Sequence, residues 1–223
     1  MHHTKFEDIE SLYKDFLVFG IDEAGRGPVA GPLSVACLSF ETDFLHSKEF
    51  SEKFKDLNDS KKLSEKKRNS LYALLTEDKN VIYGHIFVSN LFIDRFGIAE
   101  AIFQGIRKLT QKFSDRQSFY LIDGNYNFEK KFSGSEKKFN YKSYIKGDER
   151  IASISGASII AKVKRDRLLE RIAERYPEYE FQKNKGYGTK DHMRKIEKIG
   201  VCRYHRKSFL KSVLEEQWLF PEK

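Results

Sequence analysis

The residues whose type and placement suggest chemistry are carboxylates at the ends of apolar runs. Asp22-Glu23 follows Leu17-Val18-Phe19-Gly20-Ile21, Asp123 closes Phe119-Tyr120-Leu121-Ile122, and Asp148 comes just after Ile145-Lys146-Gly147. If these runs are strands of an open α/β sheet, the acids converge on the crevice at the carboxyl ends of the strands, where such sheets bind ligands. Carboxylates gathered there repel one another unless cations neutralise them. Hard divalent ions such as Mg2+ or Mn2+ take oxygen ligands. Two of them about 4 Å apart can clamp the attacking water and the leaving oxygen of a phosphodiester hydrolysis. Read singly, each acid is an ordinary turn residue, because Asp-Gly is a common turn pair. The residues alone leave both readings open. No Ser-His-Asp or Cys-His arrangement is evident, which argues against a covalent mechanism.

The metal reading makes a structural demand. Adjacent residues of a regular strand point to opposite faces, so Asp22 and Glu23 cannot both face one site unless the strand ends or distorts. Gly20 and Gly25 flank the pair, and a bend between them is expected to bring Glu23 round.

The elements that must position these acids follow from periodicity and punctuation. Leu17–Ile21, Pro32–Phe40, Val81–Val88 and Phe119–Ile122 read as strands, and Tyr141–Ile145 as an edge strand. Gly25, Gly27, Pro28, Gly31 and Pro32 mark a tight connection between the first two. Helices are expected over Phe6–Phe16, after the N-cap Ser64 with Leu71, Leu74 and Leu75 on one face, over Ile98–Phe113, over Ile151–Arg175 up to Pro177, from Thr189 to Gly200, and over Ser208–Leu219. Strands early and helices late give an α/β fold: a mixed central sheet flanked by helices, with a C-terminal helical lobe. The expected division is a catalytic domain over 1–176 and a substrate-binding lobe over 177–223 packed on it. The lysine- and phenylalanine-rich segment Glu129–Lys142 reads as a solvated loop or hairpin.

Composition narrows the partners. Lysine and arginine exceed aspartate and glutamate by 41 to 33, a formal charge of +8, which favours an anionic partner, nucleic acid being the commonest. A lysine-biased solvated surface is the plainer alternative. Cys37 and Cys202 are the only cysteines, too few for a zinc site or a disulfide framework, and a reducing cytoplasmic setting is expected. No apolar run approaches the ~20 residues of a membrane span, and the charged N-terminus does not read as a signal peptide.

Gly20-Ile21-Asp22-Glu23-Ala24-Gly25-Arg26-Gly27-Pro28 resembles the signature of type 2 ribonuclease H, called ribonuclease HII in bacteria. Further blocks match in family order: Asp59-Ser60-Lys61-Lys62-Leu63-Ser64, Ile122-Asp123-Gly124-Asn125, Lys146-Gly147-Asp148, the stretch Ala157–Asp166, Gly186-Tyr187-Gly188-Thr189, and His205-Arg206-Lys207-Ser208-Phe209. The resemblance spans about Leu17 to Phe209. It implies an RNase H-like fold with Asp22, Glu23, Asp123 and Asp148 as catalytic, metal-binding carboxylates for two Mn2+ or Mg2+ ions. It implies cleavage on the 5′ side of ribonucleotides, in RNA–DNA hybrids and at single ribonucleotides embedded in duplex DNA, leaving 3′-hydroxyl and 5′-phosphate ends. By the same resemblance Gly25, Arg26 and Gly27 read the ribose 2′-hydroxyl, Tyr187 packs on the sugar, and Lys61, Lys62, Ser158 and Lys162 contact backbone phosphate. A monomer is expected.

Three features depart from the family pattern. The Asp123–Asp148 separation is longer than usual, the turn before His205 lacks its proline, and Gly156 stands at a helix start where alanine is commoner. A glycine there weakens a helix by ~1 kcal/mol relative to alanine unless close packing needs it. Alternatives of the same fold are a transposase, a Holliday-junction nuclease or type 3 ribonuclease H. Only 21 residues precede Asp22, which leaves no room for the extra N-terminal domain of type 3. A non-catalytic nucleic-acid-binding module is the alternative from another class. Glu216-Gln217-Trp218-Leu219-Phe220 faintly resembles a sliding-clamp-binding peptide without the usual glutamine spacing, and an apolar helix end packed on the lobe is the favoured reading.

Overall fold

Strand β1 (Leu17–Ala24) lies at the centre of a five-stranded sheet with β2 (Leu33–Phe40), β3 (Val81–Val88), β4 (Ser118–Asp123) and β5 (Tyr141–Tyr144), in the order β3-β2-β1-β4-β5. The computed structural model describes residues 6–114, 117–128, 131 and 139–211. β1 pairs antiparallel with β2, and β2 with β3, whereas β1–β4 and β4–β5 are parallel. The short glycine- and proline-rich connection after β1 permits only an antiparallel return, and the parallel pairing to β4 needs the long helical crossover that follows β3. Ile21 is in register with Ile122, so Asp22 and Asp123 leave two adjacent parallel strands at the same level.

Both faces of the sheet are covered. On one, helix α5 (Ile98–Lys112) buries Ala101, Ile102, Ile106 and Leu109 against Ile21, Val35 and Cys37. On the other, the long helix α7 (Ala152–Arg175) packs Ala157, Ile160 and Ala161 over Ala36 and Leu38, alongside Leu71 and Leu75 of α3 (Glu65–Glu77). That double cover explains why β2 is buried at every position and reads as a continuous apolar run. A Cβ on Gly156 would lie 2.9 Å from Leu38 Cδ1, so the glycine lets α7 settle onto the sheet and its propensity cost is met by packing. Ser64 Oγ accepts from Lys67 N–H (3.3 Å) and Thr189 Oγ1 from His192 N–H (3.3 Å), as expected of N-caps.

After Pro177 the chain folds over the far end of α7. Tyr179, Phe181 of α8 (Phe181–Asn184), Ile196 of α9 (Lys190–Ile199) and Leu210 share a buried cluster with Ala30, Leu169, Ile172 and Ala173. A β-bridge joins Ala30 to His205. No helix among the described residues is long and apolar enough to cross a membrane.

Several expectations are corrected. Phe6–Phe16 forms no α-helix, only a 3-10 turn at Glu10–Tyr13. Glu7 pairs with Arg150 (2.7 Å), and Glu10 accepts from the backbone N–H (3.1 Å) and hydroxyl (2.9 Å) of Ser153. The segment is thus a strap across the start of α7. Leu74 is exposed, and Tyr72 takes its place in the core. Five short helices among the described residues were not anticipated: α1 (Thr42–Leu45), α2 (Lys48–Lys53), α4 (Asn90–Phe96), α6 (Gly147–Arg150) and α8. Ser208 sits in a 3-10 turn (Lys207–Phe209) where a helix start is expected. The rest of that helix, the Glu216–Phe220 segment and most of Glu129–Lys142 lie outside the described residues.

Candidate active site

β1 does not bend where the metal reading requires it. It pairs regularly with β2 through Asp22↔Ala36, Glu23↔Val35 and Ala24↔Ser34, and the left-handed backbone begins only at Gly25, with φ +98°. Asp22 therefore faces α7, where its carboxylate is hydrogen-bonded by the Ser158 hydroxyl. Glu23 faces the α5 side, accepting from Tyr126 Oη (3.2 Å) and Arg26 Nη1 (3.4 Å) on Oε1. Its other oxygen, Oε2, is buried and has no hydrogen-bond partner.

Asp22, Asp123 and Asp148 come together, each presenting a carboxylate oxygen within 4.8 Å of the others. Asp148 reaches the group from α6 (Gly147–Arg150), a single helical turn entered through Lys146 in the left-handed conformation (φ 56°). The turn is fixed by the acids themselves, because Asp123 Oδ1 accepts from Gly147 N–H (2.7 Å). Glu23 lies outside this triad yet within electrostatic reach of Asp22 and Asp123.

All four carboxyls are held above the ordinary range. Burial raises Asp22 most, reinforced by the charges of Glu23 and Asp123. Burial lifts Glu23 to about 7, against the pull of Arg26. Asp123 is raised by burial. Asp148 reaches about 6 through burial and the neighbouring charges of Asp123 and Asp59. Acids that resist ionisation when crowded and desolvated are the groups a divalent cation would relieve. The unpartnered Glu23 oxygen and the all-oxygen donor set fit a hard ion.

The residues around the acids have distinct placements. Lys61 Nζ stands 3.9 Å from Asp148 Oδ2 and Lys62 Nζ 2.8 Å from Glu149, so both are exposed cations at the rim. Ser158 is buried, its hydroxyl 2.9 Å from that of Ser60 and bonded to Asp22. Lys162, one turn on along the same helix face, pairs with Asp166 (2.8 Å). Tyr187 projects into solvent, 46% exposed. Arg26 and Gly27 are exposed, while Gly25 is buried against Arg165, whose Nε a Cβ on Gly25 would strike.

Sequence reasoning assigned no role to four residues that the structure places at this site: Asp59, Tyr126, Arg165 and Arg206. Asp59, Arg165 and Arg206 lie inside the matched blocks but their chemistry gives no hint of it. Tyr126 follows Asp123-Gly124-Asn125 closely enough that the turn could have drawn attention to it.

A mixed sheet with buried acids gathered at the carboxyl ends of its central strands defines an RNase H-like fold and an enzyme of the nuclease class. The family model described as Ribonuclease HII matches residues 19–212. The Ribonuclease HII of Endomicrobium trichonymphae is 41% identical over 210 residues, covering 92% of this chain and 93% of its own. Among solved structures, the ribonuclease H2 of Pyrococcus horikoshii OT3 has a TM-score of 0.66 at 25% identity, covering 89% of this chain and 97% of that one. The RNase HII of Archaeoglobus fulgidus, solved as a complex with PCNA, has a TM-score of 0.67 at 25% identity, covering 85% and 93%. The chain belongs to the ribonuclease HII family.

Proposed function

We propose that this protein is an endoribonuclease that hydrolyses the phosphodiester 5′ of ribonucleotides, both in RNA–DNA hybrids and at single ribonucleotides in duplex DNA. The observation that carries the proposal is the convergence of Asp22 from β1, Asp123 from the end of β4 and Asp148 from the helical turn α6, with a buried Glu23 oxygen left unpartnered on the other face of β1. A non-catalytic binding module has no use for such a group, which opposes a polyanion and is costly to bury.

Asp22, Asp123 and Asp148 would hold one Mg2+ or Mn2+ ion, and Glu23, from the other face of β1, would serve a second. Bound divalent ions activate an attacking water and stabilise charge on the leaving 3′-oxygen. The chain's own residues do the rest. Ser158 orients Asp22, Gly147 N–H orients Asp123, and Tyr126 with Arg26 orient Glu23. Gly25, Arg26 and Gly27 carry the test for the 2′-hydroxyl, the group that separates RNA from DNA, and Tyr187 offers an exposed ring for the sugar. Lys61, Lys62 and Lys162 supply positive charge for backbone phosphate. The segment from 177 onward acts as a lobe that completes the substrate groove, and the protein works as a cytoplasmic monomer.

A cleavage assay tests the reading. Duplex DNA with one ribonucleotide, an RNA–DNA hybrid and an all-DNA duplex are each incubated with the protein in Mg2+ and in Mn2+. The first two should be cut to 3′-hydroxyl and 5′-phosphate ends and the third left intact. Comparable cutting of all three, or cutting in a chelator, would overturn it.

A further inference from the structure

The block His205-Arg206-Lys207-Ser208-Phe209 has no part in the mechanism so far, although Arg206 is among the largest fully buried side chains of the protein. Its guanidinium forms no ion pair among the described residues, and its hydrogen bonds go to backbone carbonyls. Arg206 Nη2 donates to Gly25 O (2.7 Å), Nη1 to Arg26 O (3.0 Å) and Nε to Gly31 O (2.9 Å). Its own N–H donates to Val29 O (2.7 Å), which ties the residue to the same loop. Arg165 works beside it, donating to Ala30 O (2.9 Å), Pro32 O (3.1 Å) and Lys185 O (2.8 Å). Two neighbouring buried guanidiniums are costly. Burial and the Arg165 charge pull Arg206 down to about 9, a cost that shape-filling apolar side chains would avoid.

What the arrangement yields follows from peptide geometry. No peptide bond here is cis, and across a planar trans peptide the C=O of one residue and the N–H of the next point in opposite directions. Gly25 O and Arg26 O both point down to Arg206. The N–H groups of Arg26 and Gly27 must then point away from it, to the exposed side of the loop. Neither amide has an acceptor among the described residues, and the space beside Gly27 is open, with nothing within 4 Å of where a Cβ would stand.

We infer that Arg206 is a positioning residue for ribose selectivity: it holds the Gly25 and Arg26 carbonyls inward so that the Arg26 and Gly27 amides stand preset as donors to the 2′-oxygen of the ribonucleotide. Arg165 braces the other half of the loop. The inference rests on the proposed function, and it moves the origin of selectivity from the glycine motif alone to a residue 180 positions further along the chain.

Two measurements test it. The first is affinity in EDTA for a duplex with one ribonucleotide and for the matching all-DNA duplex, in wild type, Arg206→Lys and Arg206→Met. Lysine keeps the charge but cannot span three carbonyls. Both variants should lose about tenfold in preference for the ribonucleotide, the scale of one lost hydrogen bond, while all-DNA affinity stays within about twofold. A folded variant with undiminished preference would overturn the inference. The second needs no variant: amide resonances of Arg26 and Gly27 in the wild type should shift on adding the ribonucleotide duplex and not on adding the all-DNA duplex. Equal shifts with both, or none with either, would also overturn it. Failure of wild type to cut ribonucleotide-containing duplexes would instead sink the proposed function, so the two failures are distinct.

Discussion

Asp22 and Glu23 are neighbours in sequence yet stand in different surroundings, and the strand's alternation is the reason. Asp22 is the more enclosed: it is buried, backed by Ser158 and crowded by two other carboxyls. Asp22→Asn keeps the shape and the hydrogen bond from Ser158 but removes the negative charge that a cation would need. Cleavage should fall below detection, on the order of a thousandfold or more, as for loss of a group that acts as part of a unit. Thermal stability and duplex affinity should be kept, since asparagine also relieves repulsion within the cluster. Single-turnover cleavage at saturating Mn2+ with parallel anisotropy titrations would check this, and retained turnover would refute the assignment. Glu23 makes a subtler case. Its Oε1 is held by Tyr126 and Arg26, which leaves Oε2 free. Tyr126→Phe removes one donor without changing ring packing against Phe128. The Mg2+ concentration for half-maximal activity should rise about tenfold, the worth of a hydrogen bond to a charged group, with kcat at saturating ion nearly unchanged. A metal titration followed by thermal shift gives the same answer without turnover.

Elements stabilised by their own pattern were legible in the sequence, and those stabilised by distant side chains were not. Val81–Val88 and Thr189–Gly200 are seen as read, because a continuous apolar strand and a capped, glycine-stopped helix carry their own boundaries. The N-terminal segment was misread because its acids serve Arg150 and Ser153 across the fold. Of the candidate site, Asp22 and Asp123 were legible on their strands, but Asp148 stands on the helical turn α6, and β1 does not bend as expected, so Glu23 stays on the opposite face from Asp22. Buried Arg165 and Arg206 were invisible because arginine normally signals surface. Packing between elements gives a direct prediction. Gly156→Leu forces a side chain between α7 and Leu38 and should cost about 3 kcal/mol, at the upper end of overpacking penalties, seen as an early denaturation midpoint. A second prediction concerns α9. Cys202 N–H donates to His205 Nδ1 (2.9 Å), the two Nε2 atoms of His205 and His192 meet at 3.0 Å, and His192 Nδ1 reaches Tyr187 O at 2.8 Å. With Tyr187 O accepting from His192 and Cys202 donating to His205, this chain works only with both rings neutral. Burial lowers both, His205 to about 4 with help from His192, and Lys195 adds to the effect on His192. A histidine lowered on folding contributes stability that is full above its unfolded value near 6.5 and lost as pH falls toward about 4. Hydrogen exchange corrected for intrinsic rate should therefore show the Tyr187–His192 amides opening more readily over that window. Protection there that is flat with pH would count against the pairing.

At the scale of the whole molecule, a chain with a formal charge of +8 gathers the carboxylates Asp22, Asp123 and Asp148 at one place and sets exposed lysines at their rim. Lys61 and Lys62 stand at the rim of the acid cluster, each presently facing a carboxylate of the protein, Asp148 and Glu149. A phosphodiester backbone entering the site brings charge that competes for the same ammonium groups, and a cation among the acids would free Lys61 from Asp148. The rim lysines are thus poised to transfer from protein carboxylate to nucleic-acid phosphate, at little cost because exposed ion pairs are weak. Each phosphate so neutralised releases condensed counterions from the duplex. If Lys61, Lys62 and Lys162 all engage, the logarithm of affinity should fall with the logarithm of salt at a slope of about −2.7, a loss of about 40-fold between 50 and 200 mM. Lys61→Ala or Lys62→Ala should flatten the slope by about one unit each and weaken ribonucleotide-containing and all-DNA duplexes alike. That uniform loss is the opposite of the selective loss expected when the Gly25-Arg26-Gly27 loop is disturbed. A salt series of anisotropy titrations on both duplexes separates the two. Affinity indifferent to salt would mean that the basic surface does not track phosphate, and that the groove must hold its substrate through the loop and Tyr187 instead.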